Sequence, residues 1–460
     1  MRIESMTAAS LMPAVEGVLA LAGKKAAQLD RVWDISRGTP VFTVDGVYGS
    51  RGWTEWTQGF QYGCALLAFD GTGDRKLLEL GRKRTVEQMT PHLSHIGVHD
   101  HGFNNLSTYG NLRRLMLEGR IERNDWELAY YELAIKLSGA VQAARWSDAA
   151  AAAGTDLALG YVYSFNGPHS LFIDTMRTMR IVGLSHKLGH VLMGENDRKI
   201  SLLNRVVIHG LTTRRYNLFA GSGRDSYDIR GRTAHEAIFN CNDGRFRCPS
   251  SQQGYSPFST WTRGLAWAMV GFAEEAEFLD TLGEGEFTKA GTPRKAVVMK
   301  EFVQAAKDTC DFYIEHGTAS DGIPYWDTGA PQLHKLGDWQ SRPADPYNDF
   351  EPVDSSAAAI AAQGLLRLGN FLGKAGKKYT QAGLCVARTL FAEPYLATSA
   401  KHQGLILHSV YHQPNGWDFI PKGAKVPCGE SSLWGDYHAV ELAVYLQRLA
   451  AGKNYLTFFK

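Results

Sequence analysis

Apolar residues recur three and four positions apart along almost the whole chain of 460 residues, and this spacing restricts the fold more than any other feature. It places the apolar side chains on one face of a helix, so each such run predicts an amphipathic helix. The runs cover 62–69, 126–144, 170–192, 201–211, 264–280, 300–314, 355–372, 379–391 and 433–449. Alternating, strand-like stretches are few and short, as in 404–410. The pattern predicts an all-α protein.

Glycine-rich breaks separate these runs, and no long polar linker divides the chain. We therefore predict one continuous domain over residues 1–460, with 1–30 as a candidate peripheral N-terminal segment. Repeated helix–loop–helix units favour an α/α barrel, in which the inner helices converge and the loops at one end form a cleft. An α-solenoid is the alternative, although the sequence has no repeat of fixed period. The loops 227–260, 323–353 and 407–433 are long and aromatic, which is typical of a ligand-binding face.

The charge balance excludes some function classes. A net charge of +2 and the lack of a basic block argue against a nucleic-acid partner. No stretch approaches the roughly 20 uninterrupted apolar residues of a membrane span. Residues 1–5 lack the basic start and the apolar run of a signal peptide, so we expect a cytoplasmic location. If a signal has been removed, the location would be periplasmic or secreted instead.

Aromatic residues are numerous, with 11 Trp, 19 Tyr and 21 Phe. Trp53, Trp56 and Phe60, for example, stand together at the start of a predicted helix. Sugar-binding clefts have this make-up, because aromatic faces pack against the C–H faces of a pyranose while polar neighbours bind its hydroxyl groups. The alternative is that most of these rings belong to the core, as large apolar side chains usually do. The composition thus favours a carbohydrate ligand without requiring one.

Two acidic residues, Asp100 and Asp174, lie among apolar and aromatic residues rather than in charged surface runs. Burial there would disfavour the charged form, which lets one carboxyl group stay protonated while its neighbour is ionised. Acid-catalysed chemistry at a sugar needs such a pair. Two other interpretations remain open. Asp174 could be an exposed helix residue that pairs with Arg177 or Thr178, and Asp100 could simply cap the segment that follows it.

The segment 256–267 has the highest density of candidate binding residues. Thr260 is placed to cap the helix that follows. Trp261, Arg263 and Trp267 would then project from its first two turns. An Arg at a helix start lies at the positive end of the helix dipole, which is locally unfavourable unless a carboxylate offsets it. That carboxylate could belong to a bound ligand, whose planar shape the guanidinium group fits, or to an Asp or Glu of the protein itself.

Four histidines, His92, His95, His99 and His101, raise the question of a metal site. The spacing of the first three would place them on one face of a helix, yet no further ligand motif accompanies them. We therefore expect no metal at these residues.

Seven sequence blocks form the most specific pattern in the chain. They are Trp56-Thr57-x-Gly59-Phe60, His99-Asp100-x-Gly102-Phe103, Ile173-Asp174, Gln253-Gly254 followed by Ser259-Thr260-Trp261-Thr262-Arg263-Gly264, Tyr325-Trp326-Asp327, Asp354-Ser355-Ser356-Ala357 and Trp434-Gly435-Asp436-Tyr437. Any one block is weak evidence, but seven in this order are strong. They resemble those of glycoside hydrolase family 88, the unsaturated glucuronyl hydrolases, which share an (α/α)6 barrel with family 105.

The resemblance implies a role for each matched residue. Asp174 falls on the catalytic acid/base of the family. Asp100 falls on the second essential carboxylate, which holds the sugar and helps to stabilise positive charge. The residues expected to bind the substrate are His99, His235, Gln253 and Arg263, with aromatic walls formed by Trp56, Phe60, Trp261 and Trp267.

The implied substrate is an oligosaccharide that ends in a 4-deoxy uronic acid with a C4=C5 double bond, the end that a lyase leaves on a glycosaminoglycan, gellan or ulvan. Protonation of C4 by Asp174 would give an oxocarbenium ion at C5, and a water activated by the same carboxylate would attack it. This scheme requires the pKa of Asp174 to be raised by its apolar setting and Asp100 to be ionised. Acid, base and water suffice, so no cofactor is expected.

The chain departs from the family at several places. Gln58 and Gln61 stand where Asp and Trp are usual, and 31–50, 333–349 and 401–428 contain extra loop residues. These departures leave the leaving-group sugar open, and the oligomeric state is open as well. Three alternative functions remain: hydrolysis of unsaturated galacturonyl groups (family 105 type), a conventional glycosidase on saturated uronides, and a non-catalytic sugar-binding barrel. Retention of both carboxylates argues against the last.

Overall fold

The computed structural model describes residues 1–51, 56–151 and 157–459. Within these ranges twelve long helices make up the body of the protein. They are α1 (Met12–Val32), α2 (Gln58–Thr72), α3 (Arg75–Gln88), α4 (His101–Asn105, Leu106–Gly110 and Asn111–Leu117 in succession), α5 (Asp125–Ala144), α6 (Thr175–Thr178 and Arg180–Lys187), α7 (Leu202–Tyr216), α8 (Thr262–Asp280), α9 (Lys295–Phe312), α10 (Ser355–Leu372), α11 (Lys377–Leu390) and α12 (Leu433–Ala450).

The even-numbered helices form a closed inner ring. Each of α2, α4, α6, α8, α10 and α12 packs against the next, and α12 returns to α2. The odd-numbered helices surround this ring: α3 packs on α2, α5 and α7 on α6, α9 on α8, α11 on α10, and α1 on both α2 and α12. The prediction of an all-α (α/α)6 barrel is therefore confirmed. An α-solenoid is wrong for this chain, because the first and last inner helices are in contact.

Burial separates the two layers. Every residue of α8 from Thr262 to Leu279 is buried, as is every residue of α10 from Ser355 to Gly369. The outer helix α11 instead buries one face and exposes Lys377 and Lys378 at its start. A helix enclosed by neighbours on all sides must be apolar or paired all round, whereas an outer helix needs only one apolar stripe. The N-terminal helix α1 follows the outer pattern and buries Val15, Val18 and Leu19 against its neighbours.

A buried ionic network occupies the centre of the inner ring. Its members come from four of the six inner helices and are Arg177, Arg180, Glu274, Glu277, Arg367 and Glu441. Arg177 Nη2 lies 2.8 Å from Glu441 Oε2, and Arg367 Nη1 lies 2.7 Å from Glu277 Oε2. Buried charges persist only when they are paired, so these contacts fix which inner helices face each other.

Short antiparallel strands decorate the loops of the described residues. They are β1 (Pro40–Val44) with β2 (Val47–Ser50), β3 (Trp146–Ala149) with β4 (Leu159–Val162), β6 (Leu192–Met193) with β7 (Lys199–Ile200), and the three-stranded sheet of β5 (Ser170–Phe172), β8 (Glu236–Phe239) and β9 (Phe246–Ser250). The register of β5 on β8 pairs Ser170 with Ile238 and Phe172 with Glu236. Strand β5 of this small sheet ends three residues before the start of α6 at Thr175.

Two local predictions from periodicity are wrong. The run 170–192 was expected to be one helix, but it begins with β5, because the backbone of this segment pairs with β8. The run 404–410 was expected to be a strand, but only Ile406 forms an isolated bridge, to Leu396. Its backbone is held instead by the carboxylate of Asp436, which accepts hydrogen bonds from the amides of Leu405 and Ile406. No helix among the described residues is long and apolar enough to cross a membrane.

Candidate active site

A cleft opens at the end of the barrel where the inner helices begin. Its lining is Trp56, His99, Asp100, Phe103, Phe165, Asp174, Gln252, Gln253, Trp261, Arg263, Trp267, Tyr411, His412, Asn415 and Trp417. Eight of the ten residues singled out from the sequence are in this lining. The other two lie directly behind it, Phe60 against Trp56 and His235 against Trp261. The barrel therefore gathers these residues from distant parts of the chain.

His99 joins the two carboxylates of the cleft. Its Nε2 donates a hydrogen bond to Asp174 Oδ2 at 3.0 Å and lies 4.0 Å from Asp100 Oδ1. All three side chains are buried, with exposed fractions of 1% for His99, 6% for Asp100 and 8% for Asp174. The ring of Phe165 stacks on the imidazole, and the ring of Phe172 meets it edge-on. The imidazole is thus fixed in position by packing as well as by charge.

The electrostatics of this group reverse one expectation from the sequence. Burial opposes the charge of Asp174, but the hydrogen bond and charge of His99, followed by His235, outweigh it and hold the pKa of Asp174 below its ordinary value. Burial raises the pKa of Asp100, and the charge of Asp174 adds to that rise, although His99 opposes it. The prediction of a raised pKa for Asp174 beside an ionised Asp100 is therefore wrong for the group as it stands. His99 is the cause of the lowered pKa of Asp174, and no local sequence pattern reveals the contact between these two residues.

The pKa of His99 shifts in the opposite direction to that of Asp174. Burial lowers the pKa of an imidazole, but here the charge of Asp100 and the hydrogen bond to Asp174 outweigh burial and raise the pKa of His99. The two pKa shifts therefore favour an imidazolium paired with a carboxylate, inside an aromatic enclosure. Such an ion pair carries one proton that either partner can hold.

The two carboxylates occupy equivalent places in the barrel. Asp100 directly precedes α4 and Asp174 directly precedes α6, and neither side chain caps its helix. The alternative that Asp100 serves as a cap is therefore wrong. The alternative that Asp174 is an exposed partner of Arg177 is wrong as well, since Arg177 is buried and pairs with Glu274 and Glu441.

His235 supports the cleft from behind. Its Nδ1 accepts hydrogen bonds from the backbone amides of Gln252 and Gln253, at 2.9 and 3.2 Å. Burial lowers its pKa to about 3, so the ring is neutral and carries its proton on Nε2. The ring packs on Phe172 and Trp261, with centroid distances of 4.3 and 4.8 Å. His235 thus orients the segment that presents Gln253 to the cleft.

Arg263 pairs with a carboxylate of the protein, which is the second of the two interpretations drawn from the sequence. Its Nη1 donates to Asp354 Oδ2 at 2.9 Å and to the carbonyl of Val410. Its Nη2 donates to Gln253 Oε1 at 3.0 Å and to the carbonyl of Tyr411 at 2.7 Å. The guanidinium group therefore ties three segments of the cleft together and fixes the amide of Gln253.

The start of α8 differs from the expected cap. Trp261 occupies the N-cap position, while the hydroxyl of Thr260 donates to the carbonyl of Thr233 at 3.1 Å. The hydroxyl of Thr262 bonds to the carbonyl of Tyr325 at 2.7 Å. Thr260, which the local pattern assigned to capping, thus bonds to a tertiary partner instead. Trp261 is left to face the cleft.

Aromatic rings form one continuous wall. Trp56 stacks on Trp434 at 5.0 Å and touches Phe103, which in turn packs on Trp267 at 4.7 Å. Phe60 packs against both Trp56 and Phe103. Trp53, the other Trp near this wall in the sequence, lies outside the described residues. A flat apolar surface beside buried carboxylates suits the ring of a sugar.

Seven lining residues were not among the ten singled out from the sequence, although Phe103 is part of one block: Phe103, Phe165, Gln252, Tyr411, His412, Asn415 and Trp417. The last four belong to the segment 401–428, which the sequence marks as extra and aromatic. Asp418 anchors this segment, because its carboxylate accepts the backbone amides of Tyr411 and His412. The available signal was the aromatic loop itself, but no local pattern says that it turns toward the cleft.

The histidines considered for a metal site have separate partners. His92 pairs with Gln58 and Asn104, and His101 with Ser138 and the carbonyl of His95. Donor atoms of His99, Asp100 and Asp174 do lie within 4.8 Å of one another. The His99–Asp174 contact is a hydrogen bond, however, and an ion would have to replace it.

Two of the proteins similar to this chain in sequence are unsaturated glucuronyl hydrolases. The chain is 24% identical to an unsaturated glucuronyl hydrolase of Formosa agariphila over 396 residues, which cover 86% of this chain and 80% of that protein. It is 25% identical to an unsaturated glucuronyl hydrolase of a Bacillus species over 414 residues, 87% of this chain and 89% of that protein. A scan against models of protein families finds no match.

Solved structures share the fold. The crystal structure of unsaturated glucuronyl hydrolase from Bacillus sp. GL1, described as responsible for the degradation of glycosaminoglycan, matches with a TM-score of 0.67 and 21% identity over 95% of this chain and 97% of that one. A variant of the Streptococcus agalactiae enzyme complexed with dGlcA-GalNAc6S matches with a TM-score of 0.57 and 18% identity over the full length of both chains. With the ordered blocks, the barrel and the cleft, these comparisons make the chain similar in sequence and in fold to the unsaturated glucuronyl hydrolases.

Proposed function

We propose that this protein is a glycoside hydrolase that removes the unsaturated uronic acid from the non-reducing end of oligosaccharides made by a polysaccharide lyase. One observation carries the proposal. Asp100 and Asp174 are buried side by side, joined through His99, at the base of an aromatic cleft. Hydration of an enol ether needs an acid, a base and a shielded place for a cation, and this group supplies all three.

The reaction begins with transfer of a proton to C4 of the 4-deoxy-hex-4-enopyranosyl ring. The C4=C5 electron pair forms the new C–H bond, and the ring oxygen shares the positive charge that appears at C5. Water attacks C5 and gives up a proton to the carboxylate that acted as acid. The resulting hemiketal opens to a ketone, and the exposed hemiacetal at C1 releases the leaving sugar. The protons balance, because the enzyme gives one and regains one.

Asp174 is the residue that we assign as acid and then base, with Asp100 as the charge that stabilises the cation. Their protonation states are coupled in the required sense. The negative charge of Asp174 is one of the causes that raise the pKa of Asp100. When Asp174 takes up a proton, this cause disappears and Asp100 ionises more readily. The state with a protonated Asp174 beside an ionised Asp100 is thus favoured at the moment when the chemistry needs it.

The remaining residues bind and orient the sugar. Gln253, fixed by Arg263 and by the His235 contact, presents its amide to the uronate. The four terminal N–H groups of Arg263 all donate to acceptors within the protein. We therefore propose that Arg263 positions Gln253 and places a positive charge near the uronate. Trp56, Trp261 and Trp267 provide the apolar face for the ring. The segment with Tyr411 and Trp417 borders the space where the leaving sugar would lie.

The substrate class that we propose is the unsaturated uronate oligosaccharides derived from glycosaminoglycans, gellan or ulvan. The relative complexed with dGlcA-GalNAc6S and the Bacillus protein described in connection with glycosaminoglycan support the first of these. A cytoplasmic location is part of the proposal and is tested by cell fractionation.

The test follows the ultraviolet absorbance of the conjugated C4=C5 bond in an unsaturated glucuronyl disaccharide. We expect wild type to bleach this absorbance and Asp174→Asn to lower the rate by about 10² to 10⁴-fold, the usual contribution of a positioned acid. Asp125→Asn is the matched control, since Asp125 is an exposed residue of the outer helix α5 and should keep full activity.

A panel separates the proposal from its alternatives. It contains lyase products of chondroitin, heparin, gellan and ulvan, an unsaturated galacturonyl disaccharide, and a saturated glucuronide. Activity on the saturated sugar would contradict the enol-ether mechanism, because that sugar has no double bond to protonate. Tight binding without turnover of any compound would instead identify a sugar-binding barrel.

A further inference from the structure

Only one of the two ring nitrogens of His99 has a hydrogen-bond partner among the described residues. Its Nε2 is engaged with Asp174, while its Nδ1 is buried without a hydrogen-bond partner among the described residues. Asp174 shows the same asymmetry, because its Oδ2 faces His99 and its Oδ1 is buried without such a partner. The two side chains are therefore bound chiefly to each other. If His99 served only to anchor the fold, its Nδ1 would be expected to have a hydrogen-bond partner as well.

The surroundings of His99 isolate this pair. Phe165 and Phe172 cover the ring, at centroid distances of 5.9 and 5.7 Å. Besides the two carboxylates, the titratable or charged groups that face the site are His95 and Arg145 near Asp100, and His209 and His235 near Asp174. Burial keeps His209 and His235 neutral, with each pKa at about 3. Among these neighbours, His99 is the one within hydrogen-bond distance of Asp174, and its raised pKa favours the form that carries a proton to give.

We propose that His99 is a positioning residue that holds the proton used by Asp174, passes it from Nε2 to Oδ2 when a sugar fills the cleft, and takes it back when the product leaves. The inference rests on the proposed function, in which Asp174 is the acid. It gives His99 a role beyond contact with the substrate.

The physical reason is the change of surroundings on binding. Asp174 lines the cleft and is 8% exposed, so a sugar that fills the cleft removes the pair further from solvent, and a less polar environment favours the neutral pair of imidazole and carboxylic acid. The N–H bond at Nε2 breaks as the O–H bond at Oδ2 forms, and His99 keeps its second proton on Nδ1. Rotation about the Cγ–Oδ2 bond then turns the new O–H toward C4. After water attack, the proton that Asp174 regains returns to Nε2, so no outside reactant is needed.

The decisive variant is His99→Gln, whose amide can donate the same hydrogen bond to Asp174 but cannot give up a proton. In wild type we expect the alkaline limb of kcat/KM against pH to follow His99, whose pKa lies above its ordinary 6.5. In His99→Gln we expect this limb to move to lower pH by at least about one unit, with kcat at pH 7 reduced about 10²-fold. A higher KM with an unmoved limb would show that His99 only binds substrate, and would overturn the proposal.

A second measurement needs no turnover and no change at His99. Titration of the imidazole by nuclear magnetic resonance in histidine-labelled protein should place the His99 pKa above 6.5 in wild type and clearly lower in Asp174→Asn. An unchanged value in that variant would mean that Asp174 does not hold the proton on His99, and the proposal would fail. The control is Asp125→Asn, which should leave the titration of His99 unaltered.

The two experiments separate this inference from the proposed function. If wild type hydrolyses the unsaturated disaccharide while His99→Gln keeps the wild-type pH profile, the function stands and the proton-holding role is wrong. If wild type hydrolyses none of the panel, the proposed function is wrong, and the role of His99 falls with it even where the titration shows the ion pair. If Asp100→Asn rather than Asp174→Asn shifts the His99 pKa, the proton belongs with Asp100, which would contradict the assignment of the acid.

Discussion

Gly102 shows how a single residue sets the geometry of the two carboxylates. A Cβ atom at this position would lie 2.1 Å from the carbonyl oxygen of Thr178, far inside any real contact. Helix α4 therefore approaches α6 as closely as it does because residue 102 has no side chain. Asp100 and Asp174 each stand just before one of these helices, so the distance between the helices sets the distance between the carboxylates.

We predict that Gly102→Ala damages both stability and activity. The added methyl group pushes α4 from α6, which should lower the free energy of unfolding by about 1–3 kcal/mol, the usual cost of overpacking. It should also lower kcat/KM by about 10²-fold, because small misplacements of catalytic groups have effects of this size. Urea unfolding and the absorbance assay measure the two quantities.

Gly17→Ala is the matched control for this prediction. Gly17 lies within α1, and a Cβ there would meet nothing within 4 Å. The substitution should leave activity unchanged and raise the free energy of unfolding by up to about 1 kcal/mol, since alanine favours a helix over glycine. Equal behaviour of the two variants would show that close packing at Gly102 is not what matters.

The protonation states in the site depend on a contact that is local in space and distant in sequence. The two residues of the His99–Asp174 pair are 75 positions apart. An apolar neighbourhood alone predicts a raised pKa for a buried carboxyl group, as we expected for Asp174. One imidazolium at hydrogen-bond distance is enough to reverse this direction. Residue types thus singled out His99, Asp100 and Asp174, whereas the directions of their pKa shifts depend on the folded chain.

At the scale of elements, the segment 401–428 adds a wall to the cleft that the barrel helices do not provide. Asp418 fixes its turn by accepting the amides of Tyr411 and His412. Arg51 holds the other side: its Nη2 donates to the carbonyl of Trp417 at 2.6 Å, and its guanidinium lies 5.5 Å from the centre of that ring. Trp417 is therefore held over the cleft from both sides.

We predict that Trp417→Ala raises KM for an unsaturated disaccharide about tenfold and leaves kcat within a few-fold of wild type. The ring borders the proposed leaving-sugar space and contacts neither carboxylate, so it should bind ground state and transition state alike. Initial rates over a range of substrate concentrations give both constants. Equal losses in kcat and kcat/KM would instead mean that Trp417 acts only in the transition state.

Trp126→Ala controls for the loss of a large aromatic side chain. Trp126 lies on α5 with 83% of its surface exposed and is not part of the cleft lining. Its substitution should change neither constant. A comparable rise in KM in this variant would indicate a general effect on the protein rather than a lost sugar contact.

The elements also show which helices periodicity can find. The outer and inner helices with apolar stripes, such as α5, α8 and α12, coincide with predicted runs. Helix α4 was not predicted, although its apolar residues recur at helical spacing from Phe103 on; its first turns also bury polar residues that have tertiary partners. Asn105, for example, donates to Ser138 at 2.7 Å and to the carbonyl of His92. Apolar spacing does not reveal helical turns whose buried contacts are hydrogen bonds.

At the scale of the whole molecule, the ionic network at the centre of the barrel couples four inner helices. Arg177 and Arg180 of α6 reach Glu441 of α12 and Glu274 of α8, and Arg367 of α10 reaches both Glu274 and Glu277. Removing one member leaves its partner as an uncompensated buried charge, which typically costs about 3–5 kcal/mol. The network therefore favours one arrangement of the ring over alternatives with shifted helices.

We predict that Glu441→Gln lowers the free energy of unfolding by about 3–5 kcal/mol at pH 7. Burial opposes the charge of Glu441, but Arg177 and Arg180 outweigh it and lower its pKa to about 2 from the ordinary 4.5. A lowered pKa contributes stability above pH 4.5, and this contribution is lost as the pH falls toward 2. The difference between wild type and variant should therefore narrow as the pH falls below about 5, measured by denaturant unfolding at several pH values.

Glu315→Gln is the control at this scale. Glu315 forms an exposed ion pair with Lys378 at 3.0 Å, so its loss should cost less than about 1 kcal/mol. A constant difference between wild type and Glu441→Gln from pH 7 to pH 3.5 would contradict the assignment of a lowered pKa to Glu441.

The sequence by itself determined the class of the fold, the resemblance to the unsaturated glucuronyl hydrolases and the candidate residues of the site. Helical periodicity is written locally in the spacing of apolar residues, and ordered blocks such as His99-Asp100-x-Gly102-Phe103 persist because close packing and chemistry demand those residue types. Tertiary structure decided the rest: the strand before Asp174, the internal partner of Arg263, the loop that brings Trp417 to the cleft, and the proton on His99. Each of these depends on groups far apart in the chain, whose distances and burial exist only after the ring of helices has closed.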